Sequence, residues 1–163
     1  MAQANKELGA GDVAPDFTLP VTQGGDIDTF SLASKAGSPV VLFFYPKDNT
    51  PGCTTEAIDF TAHLSEFTKL GVSVFGISPD PAKKHIKFQE KHALGIPLIA
   101  DEEQTALTAY GVWLEKSMYG KKYMGVERST FLIGKDGKIL RIWRKVKVAG
   151  HVVEVLEAAK ELV

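Results

Sequence analysis

Cys53 is the only cysteine among 163 residues, and it follows a predicted strand at the start of a predicted helix. Residues 40–45 form a short apolar run rich in β-branched and aromatic side chains, which predicts a strand covered on both faces. Pro46 ends that strand because proline has no amide hydrogen for a sheet ladder. Thr50 is the predicted N-cap and Pro51 the first helical residue, which makes Cys53 the third.

A thiol at this place is expected to be reactive. Unpaired backbone N–H groups and the positive end of the helix dipole favour the thiolate over the free thiol, whose pKa is about 8.5. The side chain of Thr50 is expected to accept a hydrogen bond from the N–H of Cys53. Most free cysteines are inert and buried, but the small, polar, turn-forming neighbours of Cys53 predict partial exposure. The pattern therefore predicts a nucleophile.

The length, charge and composition of the chain limit the classes of protein to which it can belong. A length of 163 residues predicts one domain, residues 1–163, with a polar N-terminal tail over about residues 1–12. A formal charge of -1 gives no electrostatic reason to expect nucleic acid or an anionic membrane as a partner. No apolar stretch approaches the ~20 residues that span a bilayer, and the N-terminus lacks the apolar core of a secretory signal, so a cytoplasmic protein is expected. One cysteine forms no internal disulfide, which agrees with a reducing compartment.

Hydrophobic patterns along the chain predict alternating strands and helices. Strands are expected at 17–21, 27–30, 40–45, 72–78, 97–100, 129–133 and 139–146, and helices at 32–36 (one turn), 51–71, 80–92 (capped by Asp80), 101–110 (capped by Asp101) and near the C-terminus. Residues 115–127 are glycine-rich and aperiodic, which predicts a long surface loop. The pattern indicates a mixed sheet with helices on both faces.

A reactive cysteine that opens a helix after a central strand is typical of an α/β thioredoxin-like fold, here with an N-terminal β-hairpin extension. A thioredoxin carries two cysteines as CxxC, whereas Thr50 takes the first position in this chain. Dithiol exchange within the motif is therefore excluded.

The motif PxxxTxxC, formed by Pro46, Thr50 and Cys53, resembles the active-site pattern of the peroxiredoxin family. The longer string YPKDNTPGCTTEA, together with APDFTL, PLIAD and RSTFLI, is similar to the bacterioferritin comigratory protein branch, also called PrxQ. The resemblance implies a thiol peroxidase that reduces hydrogen peroxide and organic hydroperoxides through a cysteine sulfenic acid, with no cofactor and no metal. It also implies a monomer or weak homodimer.

The same resemblance implies roles for individual residues. Arg128 matches the family's distal arginine, which holds the thiolate and donates to peroxide oxygens. Glu56 would pair with Arg128 and aim it, Pro46 would shield the sulfur, and Gly52 would support the site. The alternatives for Arg128 and Glu56 are an exposed ion pair and an ordinary first-turn acid.

The chain departs from the branch in its second cysteine. PrxQ proteins commonly carry a resolving cysteine at one of two places, where this chain has Ile58 and, by alignment, Gln89. The sulfenic acid must then react with an external thiol, such as thioredoxin, glutaredoxin, glutathione or Cys53 of another subunit. Oxidation to the sulfinic acid by excess peroxide is expected as well.

Other classes of function fit less well. A cysteine hydrolase needs a base near the sulfur, but His63 lies about 15 Å further along the same helix. His85, His92 and His151 are expected to be surface or helix-end residues, and the first two are about 10 Å apart along a helix, too far to share a metal. A non-catalytic thioredoxin-like binding module or a redox sensor remains the alternative from another class.

Overall fold

A computed structural model describes residues 7–163. The strands are β1 (Thr18–Gln23), β2 (Asp26–Ser31), β3 (Val40–Phe44), β4 (Ser73–Ser78), β5 (Leu98–Ala100), β6 (Trp113–Met118), β7 (Lys121–Val126), β8 (Ser129–Ile133) and β9 (Ile139–Trp143). The helices are α1 (Pro51–Ala62), α2 (Leu64–Lys69), α3 (Ala82–His92), α4 (Thr105–Ala109) and α5 (His151–Leu162), with a 3-10 turn at Leu32–Lys35. Of the predicted polar tail, residues 1–6 lie outside the described part of the chain.

Seven of the strands form one mixed sheet in the order β2-β1-β5-β4-β3-β8-β9. The pairs β3–β4 and β4–β5 are parallel, and the other pairs are antiparallel. β3 lies inside the sheet and all five of its residues are buried, as its apolar run predicts. The β1–β2 hairpin forms one edge. The predicted α/β fold with an N-terminal hairpin is confirmed.

Alternate residues of β3 contribute to two apolar layers because successive side chains of a strand point to opposite faces. Val41 and Phe43 pack in the layer that holds residues of α1, α2, α3 and α5. Val40, Leu42 and Phe44 pack in the other layer, with residues of α4. Helices therefore cover both faces, as predicted.

The single helix predicted over residues 51–71 is interrupted at His63, which lies between α1 and α2 with φ -104° and ψ 6°. Its ring nitrogen Nδ1 lies 3.0 Å from the carbonyl oxygen of Asp59, and its backbone N–H donates to the same carbonyl. The imidazole thus contacts a backbone carbonyl group in the last turn of α1. The apolar residues that predict one continuous helix give no indication of this contact.

The predicted surface loop over residues 115–127 is wrong, because this segment belongs to the antiparallel β6–β7 hairpin. Its two-residue turn is formed by Tyr119 and Gly120, both with positive φ of 51° and 77°. Such a turn matches the twist of the flanking strands. Tyrosine is an uncommon residue at this position, so the turn escapes sequence patterns based on Asn-Gly or Asp-Gly.

Two aspartates were predicted as helix caps. Asp101 accepts hydrogen bonds from the N–H groups of Thr105 and Leu107 at 2.8 Å each and so stabilises the start of α4, but the N-cap residue is Gln104 and the helix begins later than predicted, at Thr105. Asp80 does not cap α3, whose N-cap is Pro81 without a side-chain hydrogen bond. No helix in residues 7–163 is long and apolar enough to cross a membrane.

Candidate active site

Cys53 is the third residue of α1, as predicted, and its Sγ accepts a hydrogen bond of 3.4 Å from Nη2 of Arg128. The expectation of partial exposure is wrong, since Cys53 is only 2% exposed and belongs to the apolar layer with Tyr45 and Phe60. The sulfur therefore sits at the inner side of the first helical turn. The sulfur of Cys53 is therefore buried and at the same time accepts a hydrogen bond from the cationic guanidinium of Arg128.

The sheet explains why a residue 75 positions away reaches Cys53. Arg128 directly precedes β8, which pairs with β3 so that Ser129 lies opposite Phe44. The chain that leaves β3 leads within a few residues to the start of α1. Antiparallel pairing of these two central strands thus places the arginine and the cysteine at the same end of the sheet.

Arg128 also binds Glu56, one turn after Cys53 on α1. Nη1 donates to Oε1 of Glu56 at 2.8 Å, so the two terminal nitrogens of one guanidinium serve two different acids. Glu56 is fully buried. Burial raises the pKa of Glu56 to about 7, although Arg128 opposes that increase. The predicted Glu56–Arg128 contact is present.

The second oxygen of Glu56 faces α5. Oε2 lies 4.0 Å from Nε2 of His151 and has no hydrogen-bond partner within residues 7–163. Nε2 of His151 instead lies 2.8 Å from the hydroxyl of Thr130. Burial lowers the pKa of His151 to about 4, and Arg128 adds to this effect while Glu154 opposes it. His151 is therefore neutral near pH 7.

Gly52 contributes through the absence of a side chain. A Cβ at this position would lie 3.1 Å from Nη2 of Arg128, closer than most contacts of a real Cβ. The guanidinium therefore lies against the helix backbone next to the sulfur. Glycine permits this approach.

The hydroxyl of Thr50 does not accept the N–H of Cys53, so that prediction is wrong. It donates instead to the carbonyl oxygen of Lys47 at 2.8 Å, which closes a local turn. The backbone of Thr50 still begins the helix, because its carbonyl accepts the N–H of Thr54 at 2.8 Å. Pro46 follows β3 as predicted and is half-buried.

A buried polar network anchors the segment between β3 and α1. Asp48 accepts hydrogen bonds from the hydroxyl of Tyr45 at 2.6 Å and lies 2.7 Å from Nδ1 of His85. Nε2 of His85 lies 3.0 Å from the carbonyl oxygen of Ile99, and the N–H of Asp48 donates to Asp80 at 2.7 Å. Burial raises the pKa of Tyr45 well above its ordinary value, and Asp48 adds to this effect. The segment is thereby fixed to α3 and β5.

The next residue of that segment also binds α3. Asn49 has a positive φ of 61°, and its Oδ1 lies 2.9 Å from Nε2 of His92. His85 and His92 are seven residues apart and thus lie on the same side of α3. The sequence does contain a signal for these contacts, which was missed. Two histidines lie seven residues apart on one helix, and they contact the consecutive polar residues Asp48 and Asn49. The predicted surface or helix-end position is wrong for His85, which is 0% exposed inside α3, whereas His151 does lie at a helix end, as the first residue of α5, although it is buried at 5% exposure.

Neither position at which a resolving cysteine was sought carries sulfur. Ile58 is 43% exposed on α1. Gln89 is buried on α3, where its amide nitrogen donates to the carbonyl oxygens of Thr22 and Ile96 at 2.9 Å each. The Thr22 hydroxyl donates to Oε1 of Gln89 at 3.0 Å. The side chain at this position therefore ties α3 to β1 and to the residues before β5.

A groove of about 530 Å³ leads to Arg128 from the side of the β6–β7 hairpin. Its lining combines apolar and charged residues, namely Leu114, Glu115, Lys116, Glu127, Arg128, Lys145 and Val146. The hairpin also exposes large side chains, including Met118, Tyr119, Tyr123 and Met124. Arg128 thus lines this groove, next to the residues of the hairpin.

Comparisons with known proteins identify relatives over most of the chain. The model of the AhpC/TSA family matches residues 10–142. Peroxiredoxin Bcp of Bacillus subtilis is 47% identical over 152 residues, which cover 93% of this chain and 95% of that protein. A structure of the Xanthomonas campestris bacterioferritin comigratory protein, described in terms of its alkyl peroxide reduction activity, has a TM-score of 0.83 at 45% identity and covers 89% of this chain and 90% of its own. A PrxQ mutant structure from Xylella fastidiosa has a TM-score of 0.87 at 37% identity, covering 96% and 98%.

Proposed function

We propose that Cys53, Thr50 and Arg128 are the catalytic residues of this chain, which belongs to the AhpC/TSA family and is a peroxiredoxin, a thiol-dependent peroxidase. In the same proposal Pro46, Glu56 and Gly52 support the site. The observation that carries it is the 3.4 Å contact between Nη2 of Arg128 and Sγ of Cys53. A guanidinium at that distance stabilises a thiolate and remains able to donate to an oxygen beside it.

The reaction begins with the thiolate of Cys53. Sulfur attacks the terminal oxygen of a hydroperoxide, the S–O bond forms, and the O–O bond breaks. The products are a sulfenic acid on Cys53 and an alkoxide or hydroxide, which takes up one proton to leave as an alcohol or water. Negative charge moves from sulfur to the leaving oxygen during this step, so donors directed at that oxygen lower the barrier.

In this proposal two polar groups at the start of α1 contact the peroxide, one as a hydrogen-bond donor and one as an acceptor. The N–H of Cys53 lies before the first intrahelical bond of α1, which runs from Thr54 to Thr50, so it remains available to a peroxide oxygen. The hydrogen of the Thr50 hydroxyl is bound to Lys47, which leaves its lone pairs to accept the peroxide O–H. Pro46 follows β3 and limits access of water to the sulfur in this proposal.

Arg128→Ala tests the proposal. We expect the second-order rate constant for hydrogen peroxide to fall about 10²- to 10³-fold. The rate is measured by rapid mixing at a pH where alkylation shows Cys53 to be fully ionised in both proteins, so that thiolate fraction does not contribute. Arg141→Ala, at an exposed arginine of β9, serves as the matched control. A normal rate for Arg128→Ala under these conditions would refute the proposed role.

An external thiol completes the cycle in this proposal, because the chain has one cysteine. Its attack on the sulfenic sulfur releases water and forms a mixed disulfide, and a second thiol then restores Cys53. Thioredoxin, glutaredoxin and glutathione are the candidates for that reductant. Steady-state turnover with each of them, and with Cys53→Ser as the blank, identifies the one that supports the reaction.

The substrate, assembly and location are part of the same proposal. The alkyl peroxide activity of the Xanthomonas campestris relative supports organic hydroperoxides as substrates beside hydrogen peroxide.

We infer a monomer or weak homodimer, which sedimentation at several protein concentrations tests. A cytoplasmic location agrees with the need for a supply of reduced thiols. The alternative of a non-catalytic binding module or sensor is not favoured by the peroxidase relatives.

A further inference from the structure

The site contains one fixed positive charge and two acids. Nη2 of Arg128 donates to Cys53 and Nη1 donates to Glu56, and both acids are buried. If Cys53 and Glu56 were ionised together, the three groups would carry a net charge of -1. Burial makes such an uncompensated charge unfavourable, whereas one anion with one cation is neutral.

In the part of the chain that the structure describes, residues 7–163, no second cation faces Glu56 to compensate the extra charge. Asp59 lies on α1 with Cys53 and Glu56 and adds negative charge. From α5 come His151 and Glu154, and the imidazole of His151 is neutral near pH 7. From β8 comes the uncharged hydroxyl of Thr130, which binds that imidazole. The indole of Trp143 on β9 packs edge-on against His151 and is not titratable.

We propose that Glu56 takes up a proton when Cys53 ionises, so that the thiolate and a neutral carboxyl group share the single guanidinium of Arg128. This inference deepens the peroxidase mechanism proposed above. The unpartnered Oε2 of Glu56 is the atom available to carry the proton. A pKa of about 7 for Glu56 supports the inference, since it makes the neutral acid accessible under ordinary conditions.

The proton count balances over the peroxide step. The S–H bond of Cys53 breaks, and Glu56 takes up one proton. The thiolate then forms the S–O bond while the O–O bond breaks, and the leaving alkoxide takes up one proton as Glu56 gives one up. Sulfur is oxidised by two electrons and the peroxide is reduced by two. One proton thus enters Glu56 when the thiol ionises and leaves it again when the alcohol forms.

Glu56→Gln tests the inference because glutamine keeps the shape and an oxygen for Arg128 but does not titrate. In the wild type we expect two steps in the pH profile of Cys53 alkylation by iodoacetamide, one of them near pH 7. In Glu56→Gln we expect a single step, displaced to lower pH by about one to two units, because the thiolate no longer competes with a second anion. Asp59→Asn is the control on the same helix and should keep both steps.

A second measurement leaves Glu56 in place. Infrared difference spectra report the carbonyl band of a protonated carboxylic acid, and we expect Glu56 to lose its proton at lower pH in Cys53→Ser than in the wild type, since coupling between two titrating groups is reciprocal. An unchanged alkylation profile in Glu56→Gln, or collapse of the two steps in His151→Gln instead, would overturn the inference. Neither the alkylation profile nor the infrared spectrum depends on peroxide turnover. A failure of this inference can therefore be distinguished from a failure of the proposed catalytic roles.

Discussion

Two residues set the position of Arg128, Glu56 by binding its guanidinium and Gly52 by leaving room for it. The backbone of Gly52 lies so close that a Cβ would approach Nη2 to 3.1 Å. A Cβ there would require the guanidinium beside the sulfur to move by a few tenths of an ångström. Precision in this contact matters because polarisation of a peroxide depends on donors already directed at its oxygens.

We expect Gly52→Ala to reduce the second-order rate constant for peroxide about tenfold, because a small displacement of a catalytic group has a large effect on rate. Stability should not fall, since alanine favours the helical conformation more than glycine does. Stopped-flow kinetics and thermal unfolding measure the two quantities. Gly9→Ala, at a glycine whose Cβ would meet nothing within 4 Å, is the control. A normal rate for Gly52→Ala would show that Arg128 tolerates displacement.

Glu56 and His151 are expected to give opposite pH dependences of stability. Folding raises the pKa of Glu56 from 4.5 to about 7, so its contribution to the free energy of unfolding decreases as pH rises through that window. Folding lowers the pKa of His151 from 6.5 to about 4, so its contribution increases as pH rises between those values. The two slopes oppose each other between about pH 4.5 and 6.5.

Single variants should reveal each slope. Relative to the wild type, Glu56→Gln should gain stability as pH rises from 4.5 to 6.5, and His151→Gln should lose it, by at most about 1.4 kcal/mol per pH unit. Urea unfolding at three pH values within this window measures both. Parallel curves for the wild type and both variants would contradict the assignment.

Among the helices and strands, α3 is held to β1 and to the residues before β5 by hydrogen bonds of the buried Gln89 side chain. Gln89→Leu should reduce the free energy of unfolding by about 2 to 3 kcal/mol, because the carbonyls of Thr22 and Ile96 would lose their buried donor. Urea unfolding measures the change. Gln23→Leu, at an exposed position of β1, is the control and should have little effect. Equal decreases in the free energy of unfolding of the two variants would mean that the buried hydrogen bonds of Gln89 do not contribute to stability.

Much of this architecture could be predicted from sequence, for physical reasons that differ between elements. The apolar run at residues 40–45 is a local pattern that gave β3, and Thr50 and Pro51 gave the start of α1, although the helix predicted to residue 71 is interrupted at His63. The contact of Arg128 with Cys53 followed from resemblance alone, since pairing of β3 with β8 joins residues 75 positions apart. The single-domain prediction stays a prediction.

The failures share one cause, which is that tertiary contacts decide the outcome. Lysines surround His85 in the sequence and suggest a solvated helix, yet the imidazole is buried against Asp48 and Ile99. His151 lies at the start of α5, as predicted, but is buried because α1, β8 and β9 lie beside it. The hydroxyl of Thr50 had a competing acceptor in Lys47, which a capping rule does not include.

For the whole molecule, the single buried cysteine determines the fate of the oxidised enzyme. A sulfenic acid without a second thiol in the chain persists until an external thiol arrives, so excess peroxide should oxidise Cys53 further to the sulfinic acid. Mass spectrometry of the intact protein should show an increase of about 32 Da, for two oxygen atoms. Prior addition of the reductant should suppress this species. Its absence after prolonged excess of peroxide would show that the sulfenic acid is protected.

The turn between Thr50 and Lys47 has a consequence for the kind of oxidant that the protein accepts. With its hydrogen bound to a carbonyl, this hydroxyl offers only electron pairs, and a partner must supply a hydrogen of its own. Hydroperoxides of any chain length have one. Dialkyl peroxides, in which carbon substitutes both oxygens, have none, so the proposed site should discriminate against them even where their bulk would fit.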